Sequence, residues 1–154
     1  RLGGLLSELE TAELPEADVV LLSMGVNDTT GFTPRFRFRQ QLRALRRLLA
    51  TRYSGPILLL RLPPMHLFTA LPSPLRYVMG WRACQLDSLY IRLAQQFPEE
   101  FTYLDYPVVT DPALLAADGY HPGQKGHRYI AEALADRVSP AKRPGRTGLP
   151  FAGG

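Results

Sequence analysis

Cysteine is nearly absent. Cys84 is the chain's one thiol, which excludes an internal disulfide and any thiolate metal cluster. No apolar run approaches the roughly 18 residues that a membrane-spanning helix needs, and the run at residues 57–60 is strand-sized. Paired Cys/His sets and aromatic-glycine RNA signatures are missing as well, so the residues give no ground for a nucleic-acid partner. His66, His121 and His127 lack a clustered carboxylate set, and no metal site is expected. No hydroxyl- or glycine-rich phosphate loop opens a helix, so no organic cofactor is expected either. Acidic residues are scarce in the middle of the chain, where Asp87 stands alone between Pro34 and Pro98. An initiator Met and a signal-peptide pattern are also lacking, and the sequence opens Arg1-Leu2 straight into a helical pattern. The expectation is therefore a fragment entered inside a domain. Localisation stays open, with a cytoplasmic or peripheral-membrane placement favoured.

What is present fits one globular domain. The chain has 154 residues, 45% of them apolar and 21% charged, enough to bury about two-thirds of its unfolded surface. Its net charge of +4 is mostly arginine, concentrated in Arg35, Arg37, Arg39, Arg43, Arg46, Arg47 and Arg52. Such a series usually marks a solvated helix face. With acids scarce nearby, it also suits an anionic surface such as a phospholipid headgroup region.

The apolar spacing alternates between helix and strand. Leu2, Leu5, Leu6 and Leu9 predict an amphipathic helix over residues 2–13, ended by Pro15. Residues 18–24 form a short continuous apolar run suited to a strand buried on both faces. Thr33-Pro34 opens a second helix, with Thr33 expected as its cap, running to about Tyr53 on a stripe of Phe38, Leu42, Leu45 and Leu49. A strand at 57–62 follows, then a Pro- and aromatic-rich loop with a short helical piece at 65–80. A helix at 81–97, a strand at 101–104 and a final helix at 123–138 complete the order. Trp81 and the other aromatics are expected mostly in the core, and Cys84 as a small helix residue. Residues 1–138 thus read as one domain, and residues 139–154, rich in Pro, Gly and basic residues, as a disordered tail. Alternation of this kind implies parallel strands joined by right-handed crossovers. Three strands are few for such a sheet, so the first strands are expected to be missing.

Two motifs fall where that topology puts chemistry. Ligand crevices of open α/β sheets lie beyond the carboxyl ends of the strands. Gly25-Val26-Asn27-Asp28 follows the first strand, and Asp118-Gly119-Tyr120-His121-Pro122 enters the last helix. Both can face one edge. Asn27 also fits a simple turn residue. His121 and Asp118 also fit a surface histidine and a turn former. Asp28 is expected to brace the loop, not to act chemically. His66 can line the crevice but more often packs, and His127 is expected to be exposed.

Taken together, Gly-x-Asn-Asp, the Leu62-Pro63-Pro64-Met65 stretch and Asp-x-x-His-Pro resemble the SGNH (GDSL-like) hydrolases. The likeness runs from about Leu5 to Val138. It implies a three-layer α/β/α, flavodoxin-like fold and hydrolysis of a small-molecule or lipid ester through an acyl-serine. In that family His121 would be the general base, Asp118 would orient it, and Asn27 would donate to the oxyanion, with Gly25 and Asp28 supporting the loop. The family's Gly-Asp-Ser block is missing: none of the six serines follows Gly-Asp or sits in Gly-x-Ser-x-Gly. The nucleophile is therefore expected upstream, and the fragment alone is expected to be inactive. A non-catalytic binding module on the same scaffold is the alternative, and a flavodoxin-like cofactor domain a weaker third.

Overall fold

The computed structural model describes residues 1–13, 16–68, 71–107, 109, 111–117 and 121–138. Helix α1 (Leu2–Thr11) leads into strand β1 (Val20–Leu22), the short helix α2 (Val26–Thr30) and the long helix α3 (Arg35–Arg52). Strand β2 (Ile57–Leu60) is followed by a 3₁₀ turn (Met65–Leu67) and helix α4 (Leu75–Gln96). Strand β3 (Phe101–Leu104), a second 3₁₀ turn (Pro112–Leu114) and helix α5 (Gln124–Val138) end the order. The segment 139–154, expected to be a disordered tail, lies outside the described residues.

The sheet is parallel and runs β1-β2-β3, with Val20 opposite Ile57 and Ile57 opposite Phe101. Parallel neighbours require crossovers, and helices supply each one. All four residues of the central β2 are buried, whereas β1 at the end of the order leaves Leu21 exposed. The continuous apolar runs are thus needed most where a strand has neighbours on both sides. This is the parallel α/β arrangement that the alternation implied, and it agrees with the flavodoxin-like fold that the resemblance implied.

Helices α1, α3 and α4 pack side by side, and α4 also lies on β3. Phe38, Leu42, Leu45 and Leu49 of α3 recur on one stripe and are all buried, each worth about 1.5–3 kcal/mol of transfer free energy. They meet Leu86, Leu89, Tyr90 and Leu93 of α4 and Leu2 of α1 in one core. Arg35 reaches the Gln85 carbonyl and Ser88 near one end of α3, while Arg46 near the other end forms a two-pronged pair with Glu100 and lies over the Phe97 ring. The two helices therefore run in the same direction, as successive crossovers on one sheet face must.

Helix α1 and strands β1 and β2 are shorter than the 2–13, 18–24 and 57–62 expected, and three further features differ from the sequence reading. Thr33 does not cap α3; Pro34 occupies that place, and the Thr33 hydroxyl donates to Asp28 Oδ1 at 2.8 Å. Residues 26–30, read as loop, form α2, because a single turn carries too few residues to show a period. Helix α4 begins at Leu75, well before residue 81. Its first turns expose Leu75, Tyr77, Val78 and Trp81, so no buried stripe announced them. Trp81 is 64% exposed, which corrects its expected place in the core.

Candidate active site

Asn27 sits in the first turn of α2, directly past the carboxyl end of β1. The turn is entered through Gly25 at φ 104°, a backbone region open to glycine. A Cβ there would also lie 2.8 Å from Leu62 Cδ2, on the loop that follows β2. Glycine is required twice over at this position.

Three side chains fix the turn, Asp28 from within it and two from α4. Asp28, 1% exposed, accepts the Leu2 backbone N–H at 2.9 Å and the Thr33 hydroxyl. One carboxylate thereby caps the start of α1 and ties α2 to Thr33, just ahead of α3. The buried Tyr90 donates its hydroxyl to the Met24 carbonyl at 3.2 Å, and burial pushes that phenol's pKa well up. Arg82 of α4 donates to the Thr29 and Thr33 carbonyls at 3.2 and 3.1 Å and lies over the Phe32 ring. Asn27 itself is exposed, and its side chain hydrogen-bonds to none of the described residues. Its amide is held in position by the backbone, with donors left over for a ligand.

His121 enters from the opposite end of the sequence. Its carbonyl accepts the Ala116 N–H at 2.8 Å, Gly123 N–H donates to the Leu114 carbonyl at 2.8 Å, and Leu115 bridges to Pro122. The segment closes on itself as a small antiparallel clasp just before α5. Gly126 seats α5 on this clasp, because a Cβ there would meet the Leu114 carbonyl. Asp118, assigned by resemblance as the partner of His121, lies outside the described residues.

Asn27 and His121 line one crevice of about 570 Å³. Gly25 and Met24 are on its β1 side, Leu60, Arg61 and Pro63 follow from β2, and Tyr106 and Val109 follow from β3. The crevice therefore lies beyond the carboxyl ends of all three strands, as open α/β sheets dictate. A volume of this size suits a small organic ligand.

Besides Arg1, Arg61 and Tyr106, which the sequence does not announce as crevice residues, two side chains able to act as a base and a nucleophile line it. His127, expected to be exposed, is exposed and also lines the crevice from the first turn of α5, so a second imidazole faces the ligand space. Ser23, set aside because it matches no nucleophile motif, lines it from the end of β1. Neither carries a motif of its own; only the topology brings them there. His66, the other candidate, packs against Gly80 of α4, where a Cβ would lie 2.6 Å from its own Cβ.

The proline loop is anchored by Asp87, the lone acid of the middle segment. Asp87 Oδ1 accepts the Leu62 N–H at 2.9 Å, and Oδ2 accepts the Tyr103 hydroxyl at 2.7 Å. Burial raises the Asp87 pKa, against the lowering influence of the Leu62 and Tyr103 hydrogen bonds and of Arg61. The folded protein thus holds this proton more tightly than the unfolded chain. Stability should then fall as pH rises from the ordinary aspartate range, about 3.9, through the raised folded value. Asp87→Asn keeps an oxygen for Leu62 and should flatten that stretch of the stability curve without loss near neutrality. Urea unfolding across acidic to neutral pH checks this, and an unchanged slope in the variant contradicts it.

A parallel sheet with a crevice along its carboxyl edge defines a flavodoxin-like α/β protein. Residues 2–129 match the GDSL-like Lipase/Acylhydrolase family, and the chain belongs to that family of hydrolases. A chain of known crystal structure shares the fold with a TM-score of 0.55 at 18% identity, over 90% of this chain and 64% of the other. The present chain thus spans less than two-thirds of that neighbour's length. Comparison with curated proteins gives no match.

Proposed function

We propose that the protein hydrolyses a carboxylic ester through an acyl-serine intermediate. In this reading His121 takes the proton of a serine hydroxyl as its oxygen attacks the ester carbonyl carbon. The carbonyl oxygen becomes an oxyanion that accepts a hydrogen bond from the Asn27 side-chain amide. His121 then returns the proton to the departing alcohol, and water repeats the sequence on the acyl-enzyme to release the acid. Asp118 orients the imidazole. No metal or organic cofactor enters any step. The observation that carries the reading is that Asn27, after the first strand, and His121, before the last helix, line a single crevice.

The nucleophile is assigned to a Gly-Asp-Ser segment ahead of residue 1, as none of the six serines in the chain follows Gly-Asp. A fluorophosphonate probe followed by peptide mapping tests this. The 154-residue chain should stay unlabelled, and the chain extended by its upstream segment should label at one serine in the added part. Ser23, which shares the crevice, is the serine to watch, since labelling there would overturn the upstream assignment. A fully extended chain that never labels would favour the binding module over the hydrolase.

A further inference from the structure

The outer surface of α3 and α4 has a composition that the crevice chemistry does not use. These helices hold 18 and 22 residues, and their one carboxylate, Asp87, points inward to Leu62 and Tyr103. What faces outward is basic, apolar or uncharged polar, with Gln40, Gln95 and Gln96 among the last, and none of it is acidic. Arg37, Arg39, Arg43, Arg47 and Arg92 are exposed, and the two ion pairs among the described residues involve other arginines, Arg46 and Arg61. A groove of about 650 Å³ between the helices is walled by Arg39, Arg43, Arg46, Arg47 and Arg92, over a floor that includes Leu42 and Leu93.

Large apolar side chains stand open at the N-terminal ends of the same two helices. Phe36 is 61% and Trp81 64% exposed, with Phe32, Tyr77 and Val78 about half exposed. Tyr77, Val78 and Trp81 share one side of α4 by their spacing, and Phe32 reaches that helix through Arg82. A crossover helix begins at the carboxyl end of the strand it follows. These aromatics are therefore on the crevice side of the molecule. Isolated exposed apolar residues need no explanation, but a cluster of them beside unpaired arginines does.

We propose that the α3–α4 face docks on the anionic surface of a phospholipid bilayer. The arginines meet lipid phosphates in and beside the groove, and the aromatics enter the boundary between headgroups and acyl chains. A nucleic-acid duplex would satisfy the arginines through its phosphates, but its stacked and paired bases leave Phe36, Val78 and Trp81 nothing to enter. An acidic protein surface likewise needs no such apolar cluster. Docking in this orientation brings the crevice-side ends of α3 and α4 to the bilayer, whether or not the reaction at His121 is ester hydrolysis.

Trp81 is the chain's one tryptophan, so its emission reports on this face directly. Vesicles of phosphatidylcholine mixed with phosphatidylglycerol should shift the emission to the blue and shield it from acrylamide. Vesicles of phosphatidylcholine alone should leave it unchanged, and added salt should weaken the response. The combined variant Arg39→Gln, Arg43→Gln, Arg47→Gln, Arg92→Gln alters only exposed side chains. It should melt like the parent yet partition onto mixed vesicles at least about 100-fold more weakly. Phe36→Ser, which keeps every charge, should also weaken sedimentation with vesicles. The proposal fails if mixed vesicles leave the emission unmoved, or if both vesicle types bind equally. It fails equally if a DNA duplex or polyglutamate at matched charge reproduces the blue shift and the shielding.

Discussion

Replacing His121 with alanine should lower ester hydrolysis by at least about 1,000-fold in a form of the protein that carries the nucleophile segment. The loss should fall on kcat. Without the imidazole the serine hydroxyl keeps its proton at neutral pH, and the departing alcohol has no acid to protonate it. His127 lines the same crevice but sits on α5, beyond the clasp that fixes residue 121, so it should not substitute. The fold should survive, because His121 is exposed and its carbonyl, which the variant keeps, supplies the bond to Ala116. Stopped assays on a short-chain aryl ester, with circular dichroism as a folding control, decide the matter. Rates near those of the unmodified protein would end the assignment of His121 as base.

Asn27→Ala should cost about 100- to 1,000-fold in kcat, equivalent to about 2.7–4 kcal/mol, with little change in KM. The split between the two constants follows from timing. The amide is asked to hold an oxyanion that exists only after attack, so substrate binding should not depend on it. Stability should barely move, since the Asn27 side chain is exposed and hydrogen-bonds to none of the described residues. Asn27→Asp is the sharper test. It keeps the shape and puts negative charge where negative charge must develop, and should be at least as damaging as alanine. Full turnover in either variant, or a change confined to KM, would remove Asn27 from the oxyanion site.

Much of the fold was legible because its signals are local. The strand at 101–104 was placed to the residue, and the α3 stripe fell where Phe38, Leu42, Leu45 and Leu49 repeat at helical spacing. Motif spelling and strand order together brought Asn27 and His121 to one edge. What stayed hidden depends on partners distant in sequence. Nothing beside Asp28 indicates that it caps α1 through Leu2, or beside Tyr90 that it holds Met24. The opening turns of α4 carry exposed aromatics, which apolar periodicity alone does not place. Ser23 and His127 entered the crevice through topology, without a pattern of their own.

The contact between Gly25 and Leu62 joins the turn that presents Asn27 to the loop that follows β2. Leu62 is gripped twice, by Gly25 through its side chain and by Asp87 through its backbone N–H. The two loops are therefore not independent parts that can diverge at separate rates. A bulkier residue at 25 and a branched aliphatic at 62 exclude each other, so evolutionary drift in one wall of the cleft is yoked to the other. Substrate preference can shift through the proline loop only along routes that leave the asparagine where it stands.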